Sequence, residues 1–262
     1  MIDWALASKN DYQINYFRME FQTLYKDLGI IKYKKAWDYQ KNLVGHIFET
    51  NKINSGLPFC EQNSNYNFLL FCEHPHVYTL GKHGSESNLL IPDKLLKKKG
   101  IEFFKSDRGG DITYHGPGQI VGYPIFDLEA LGIRTKEYIF KMENAIIGVL
   151  EDYSLKAERL EGATGVWIDA HIPGKARKIC AMGVKITKGI TMHGFALNVN
   201  TDLTYYQYIN PCGFTDKGVT SLEKELGQKV DIEEVKEKLK KSFCDVYNIN
   251  ISQEFIGPIQ DI

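Results

Sequence analysis

The stretch ATGVWIDAHIPGKARKICAMGVKITKGITMHGFALNV, residues 163–199, decides the architecture of this chain. Residues 163–169, 178–187 and 191–199 read as three strands in succession, with apolar side chains recurring at alternate positions. The KITKGI run carries a glycine where a tight turn needs one, so the last two strands form a hairpin. Working outward, residues 68–73, 77–80, 101–105 and 119–128 are also strand-like. Helices are expected at residues 34–50 (Ala36, Tyr39, Leu43, Ile47 and Phe48 at helical spacing), at 92–99 before Gly100, and at 135–153. In the last of these, Tyr138, Met142, Ile146 and Leu150 form one stripe. A final amphipathic helix spans 231–246, with Asp231 as its N-cap. Residues 51–67 are polar and read as a loop. Strands in groups, rather than in strict β-α-β alternation, imply an α/β chain of α+β type with a mixed, largely antiparallel central sheet and flanking helices.

Composition narrows the function classes. The chain has 262 residues, 32 Lys+Arg against 33 Asp+Glu, and a net charge of −1. That balance gives no support for nucleic-acid wrapping. No apolar run reaches the roughly 18–20 residues of a membrane span, and the charged N-terminal stretch is no signal peptide. A cytoplasmic protein is expected. Its five cysteines, at 60, 72, 180, 212 and 244, are odd in number and contain no Cys-x-x-Cys pair.

Three segments are rich in chemistry. The densest is RGGDITYHGPGQIVGYP, residues 108–124, whose glycines allow close backbone approach to a ligand and whose N–H groups can form an anion nest. It contains neither phosphate-loop nor dinucleotide fingerprint, and a plain hairpin between two strands accounts for it equally well. His115 within it reads as a proton carrier or as a hydrogen-bonded turn residue. In the second segment, Lys178 and Cys180 stand two apart and share a face if the strand is regular, a pairing that would favour a thiolate. Cys180 also continues a row with Met182, Val184 and Ile186, and a buried core thiol is the favoured reading. Cys212 lies instead in Asn210-Pro-Cys-Gly213, where a proline and a glycine hold a side chain out from the scaffold. The third segment, Cys72-Glu-His74-Pro-His76, has zinc-like alternation but no evident fourth ligand, so packing or pocket-wall roles are favoured and no metal is expected.

Together these residues resemble the lipoyl(octanoyl) transferases. The likeness rests on residues 108–119 followed by Tyr123-Pro124, and on Arg177-Lys-Ile-Cys-Ala-Met-Gly183. It extends to His193-Gly-Phe-Ala-Leu-Asn-Val-Asn200, Asn210-Pro-Cys-Gly213, Glu73-His-Pro and Tyr78-Thr-Leu-Gly81. The resemblance implies a biotin/lipoate ligase-type fold with a smaller second sheet. It implies a catalytic domain at residues 29–250, an N-terminal extension at 1–28 and a tail at 251–262. The implied reaction moves octanoyl from octanoyl-acyl carrier protein to a lysine of lipoyl domains, those of 2-oxoacid dehydrogenase complexes and of the glycine cleavage H protein. Nucleic acid and membrane are not among the implied partners. By motif match Cys212 is the acyl-thioester nucleophile and Lys178 its base. The acyl pocket falls on Arg108, Gly109, Gly110, Asp111, Ile112, Thr113, Tyr114 and His115, on Ala181, Met182 and Gly183, and on Gly194, Phe195 and Ala196. A thioester is already activated, so no cofactor is implied. An ATP-dependent ligase of the same superfamily is the rival reading, and it has no use for the cysteine. His76 stands where the family commonly has proline. An acidic carrier calls for a basic surface, expected around Lys175, Arg177 and Lys188.

Overall fold

The computed structural model describes residues 22–58, 61–62, 66–210 and 217–254. Its strands are β1 (Gln22–Ile30), β2 (Asn67–Glu73), β3 (Val77–Leu80), β4 (Glu102–Lys105), β5 (Ile112–His115) and β6 (Gln119–Ile125). They continue with β7 (Ala157–Leu160), β8 (Ala163–Ile168), β9 (Arg177–Thr187), β10 (Ile190–Asn198), β11 (Gly218–Val219) and β12 (Asn250–Glu254). The helices are α1 (Tyr33–Asn54), α2 (Asp93–Lys98), α3 (Thr135–Asp152), α4 (Leu222–Leu226) and α5 (Ile232–Tyr247). Among the described residues, the large sheet runs β12-β1-β2-β6-β10-β9-β8-β7 with β11 added beside β9, and a small sheet runs β4-β3-β5. β1 pairs in parallel with both β2 and β12, whereas β2-β6, β6-β10, β10-β9, β9-β8 and β8-β7 are antiparallel. The mixed, largely antiparallel architecture and the second sheet are therefore as expected.

The β9-β10 hairpin turns at Lys188 (φ 51°) and Gly189 (φ 80°), two left-handed residues whose twist matches that of the flanking strands. One face of the large sheet is covered by α3 and α5. In α3, Tyr138, Met142, Ile146 and Leu150 are fully buried, and in α5 Val235, Leu239, Phe243 and Tyr247 repeat every four residues on the buried side. Asp231 caps α5 by accepting the Glu233 N–H at 2.9 Å. The Lys236 ammonium, almost wholly buried, binds Asp27 on β1 and Glu233. The other face carries α1, whose Ala36, Tyr39, Leu43 and Ile47 pack on Leu70, Val121, Ile125 and Ala196. The small sheet forms a third cluster with α2 and the 3-10 helix Leu203–Tyr208, through Tyr78, Leu96, Ile112, Tyr114, Tyr206 and Ile209.

Some expectations need revision. Residues 108–124 are not a hairpin between two neighbouring strands: β5 pairs with β3 in the small sheet and β6 joins the large one, so this segment carries the chain from one sheet to the other. Helix α1 runs to Asn54, into the stretch read as loop. β1 begins at Gln22 and β12 ends at Glu254, so the large sheet reaches across both boundaries expected for the domain. Among the described residues no helix is long and apolar enough to cross a membrane.

Candidate active site

Between the two sheets, on the α1 side, lies a cavity of about 410 Å³, within the roughly 300–1,000 Å³ of small-molecule sites. Most of the expected pocket residues line it: Arg108, Gly110, Asp111, Ile112, Thr113 and His115 from one wall, Ala181, Met182, Gly183, Gly194, Phe195 and Ala196 from the other. Gly109 and Tyr114 do not. Gly109 donates its N–H to the Val184 carbonyl (2.9 Å), fastening the loop to β9. Tyr114 alternates to the opposite face of β5, where it is fully buried, stacks on Tyr205 and shares a 2.7 Å hydrogen bond between its hydroxyl and His76 Nδ1.

The walls meet closely because glycines stand where they touch. A Cβ on Gly183 would lie 2.8 Å from the Gly109 carbonyl oxygen of the facing wall, and within the large sheet one on Gly194 would lie 2.2 Å from that of Gly122. The Arg108 guanidinium ties the loop from within, donating to the carbonyls of Thr79 (2.6 Å), Asp111 (2.8 Å) and Gly109 (2.9 Å). Asp111 accepts from the Ile112 N–H and from Asn88, joining the loop to the turn ahead of α2. Asp107 bridges Lys185 (2.8 Å) and His193 Nε2 (2.7 Å). Burial pushes the His193 imidazole down, so it is neutral near pH 7 and donates its Nε2 proton, while that bond and the Lys185 ammonium hold the Asp107 carboxyl well below the usual range.

The second wall turns on one extra residue. Along β8-β9, Val166 pairs with Cys180 and Trp167 with Lys178, leaving Ile179 as a β-bulge. Ile179 and Cys180 consequently both enter the core, each fully buried, while Lys178 shares a face with Trp167 and Ala181 and lines the cavity. The shared face expected of Lys178 and Cys180 therefore does not exist. The Lys178 stem lies near Gly165, its ammonium sits 4.7 Å from the Trp167 ring centre, and it donates to the Thr164 carbonyl at 3.1 Å. Burial raises the Cys180 thiol well above its ordinary range, against any nucleophilic role.

Cys212 and Cys60 lie outside the described residues, as do Pro211 and Gly213. The chain on the far side, Lys217, Gly218 and Val219, lines the cavity, and β11 pairs with β9 so that Val219 stands opposite Lys178. His115 is neutral and engaged, with Nδ1 donating to Gln119 Oε1 (2.8 Å), Nε2 facing Thr79 Oγ1 (3.3 Å) and burial holding its pKa well down. In the Cys72-His74-His76 trio, His74 gives Nδ1–H to the Ile31 carbonyl and takes the Tyr123 hydroxyl at Nε2, both at 2.7 Å. His76 stacks on Tyr205 in the other lobe, and among the described residues no group of three His, Cys, Asp or Glu is arranged to hold a metal. Arg177 is committed to Asp169 and Glu225 rather than displayed as a free cation.

Several lining residues had no signal of their own in the sequence. Tyr33 comes from α1, Trp167 from β8, and Tyr206 from the 3-10 helix, each an ordinary core aromatic by pattern. His193, Asn198 and Tyr123 lie inside the quoted motifs, and their polar character in apolar strands was the available clue.

Residues 32–244 match the family described as the lipoyl protein ligase A/B catalytic domain. The octanoyltransferase of Parabacteroides distasonis is 52% identical over 223 residues, 85% of this chain and 97% of that protein. The octanoyltransferase of Cytophaga hutchinsonii is 50% identical over 228 residues, covering 87% and 93%. In fold, the chain is similar to the crystal structure of lipoate-protein ligase A bound with ATP, at a TM-score of 0.63 and 17% identity, over 92% of this chain and 91% of that one.

Proposed function

The chain belongs to the octanoyltransferases of the lipoyl protein ligase A/B catalytic-domain family, and from that premise we propose a two-step transfer through a thioester on Cys212. It is an acyltransferase. The proposed donor is octanoyl-acyl carrier protein, and the proposed acceptor is a lysine of the lipoyl domains of 2-oxoacid dehydrogenase complexes and the glycine cleavage H protein, all in the cytoplasm.

In the first step Lys178, as free base, takes the Cys212 thiol proton, and the thiolate attacks the octanoyl carbonyl. The tetrahedral adduct collapses with departure of the carrier thiolate, which takes the proton back from Lys178. In the second step the neutral acceptor amine attacks the Cys212 thioester, the amide bond forms, the C–S bond breaks, and Lys178 relays the amine proton to the departing thiolate. The octanoyl chain lies along Ala181, Gly183, Gly194 and Ala196, and Arg108, Gly110, Asp111, Ile112, Thr113 and His115 form the facing wall. Gly109 supports that wall from behind.

The observation that carries this reading is the bulge at Ile179. It sets an ammonium-bearing side chain on the wall of a mostly apolar cavity and buries the neighbouring thiol, Cys180, on the other side of the sheet. Incubation with octanoyl-carrier protein followed by intact mass spectrometry tests it. One octanoyl increment mapping to Cys212, and lost in Cys212→Ala, is expected. An adduct on Cys180, or turnover without any adduct, would refute the mechanism, and ATP-dependent use of free octanoate by Cys212→Ala would favour a ligase.

A further inference from the structure

The chain's charge is unevenly spread. Residues 82–105 carry six exposed lysines, Lys82, Lys94, Lys97, Lys98, Lys99 and Lys105, against Glu86, Asp93 and Glu102, in a protein of net charge −1. Two of those acids are already taken, Glu86 by Lys105 (2.6 Å) and Glu102 by Lys32 (3.6 Å). Lys82, Lys94, Lys97 and Lys98 make no salt bridge among the described residues. Beside them Leu90 is 58% exposed, an apolar contact set in a basic surround.

This lobe is fastened to the cavity rim and touches the cavity only at His83 among the described residues. The Lys82 N–H donates to the Arg108 carbonyl (2.9 Å), the His83 N–H to that of Gly110 (3.2 Å), and Leu90 to that of Tyr208 (2.9 Å). His83 reaches the cavity, but no residue of α2 does. A surface groove between lobe and rim is bordered by Lys82, Ser85, Lys105 and Ser106, with Glu86 beside Lys105.

We infer that the lysine-rich face of α2, with Lys82 and Leu90, is the docking surface for the acidic carrier that delivers the acyl group. The inference rests on the carrier-linked donor proposed above. Two features favour the donor over the acceptor. The face is set back from the cavity, so a protein seated on it must reach in with a long arm, which a carrier's flexible thiol arm supplies and a lysine side chain does not. Along that path the groove offers Lys82, which makes no salt bridge among the described residues, suited to an arm that bears a phosphate. Long-range attraction between unlike charges raises encounter rates and weakens with salt. Of the surface expected around Lys175, Arg177 and Lys188, the Arg177 guanidinium is neutralised by the two acids flanking it, which leaves two exposed lysines there against the six on this lobe.

The test uses the full chain and two donors, octanoyl-carrier protein and octanoyl-pantetheine, which keeps the thioester and discards the protein. In the variant Lys94→Glu/Lys97→Glu/Lys98→Glu, the KM for the carrier donor is expected to rise roughly tenfold or more at low salt. Its kinetics with octanoyl-pantetheine stay as in the unmodified protein, which also establishes that the variant is folded. The salt dependence of the carrier KM should flatten in the same variant. An unchanged carrier KM overturns the inference, as does an equal loss with both donors, or an equal effect from Lys229→Glu/Lys241→Glu elsewhere on the surface. Failure of the unmodified protein with both donors would instead defeat the reaction proposed above, and with it this surface.

Discussion

Acid should destabilise this fold well above the range in which carboxylates titrate, and His74 provides the means to measure it. Its imidazole is buried beneath α1, with Nδ1–H given to the Ile31 carbonyl and Nε2 accepting from Tyr123, so both nitrogens are satisfied only in the neutral form. Burial lowers its pKa from 6.5 to about 4. The folded state therefore binds no proton here until well below the pH at which the unfolded chain does, and stability falls as pH drops from above 6.5 toward 4. Between pH 7.5 and 5.0 this single site should cost about 2 kcal/mol. His115 and His193, also lowered by burial, act in the same direction. Asp107 and Glu225 are depressed carboxylates whose contribution disappears only at lower pH, so they hardly enter this window. Urea unfolding of the wild type and of His74→Gln at both pH values isolates the site, because glutamine can donate to Ile31 and accept from Tyr123 without titrating. The variant should lose about 2 kcal/mol less than the wild type over that interval. Equal losses in the two proteins would refute the assignment of His74 as a neutral, buried group.

Three further outcomes can be checked separately. Lys178→Met should lower octanoyl transfer at least ~100-fold while keeping the unfolding midpoint close to wild type, since the retained stem still packs near Gly165 and Trp167. Cys180→Ser should retain transfer but lose about 1–3 kcal/mol in denaturant titration, because a hydroxyl replaces a fully buried thiol whose recorded acceptor is the Ala181 carbonyl at 3.6 Å. Gly194→Ala should cost ~3 kcal/mol, read as a lowered Tm, because its methyl would collide with the Gly122 backbone across the β6-β10 pair.

Much of this was legible beforehand, for identifiable reasons. The stripes of α3 and α5, the Asp231 cap and the turn at Lys188-Gly189 are local features, fixed by side-chain period and backbone preference within one segment. β1, β7 and β12 were not anticipated. Tyr25 and Ala157 are buried in them, but β1 and β7 interleave charged residues, and β1 and β12 pair with each other across most of the sequence. At the site, the glycine positions were readable because close approach demands glycine. The placement of Lys178 was not: strand alternation gives it the wrong face, and only pairing with β8 introduces the extra residue. Tyr114 shows the converse, since it lies within a motif but simple alternation turns it away from the cavity.

The bulge at Ile179 makes side-chain orientation along β9 a matter of parity. On one side of it, Cys180 belongs to the core; on the other, Lys178 belongs to the cavity. Deleting Ile179 would remove the bulge and restore plain alternation, with Lys178 still opposite Trp167 on the cavity side and Cys180 still opposite Val166 in the core. A one-residue length difference in this strand can therefore be absorbed at the bulge, so an alignment gap here belongs at Ile179 and does not by itself move the lysine off the cavity wall.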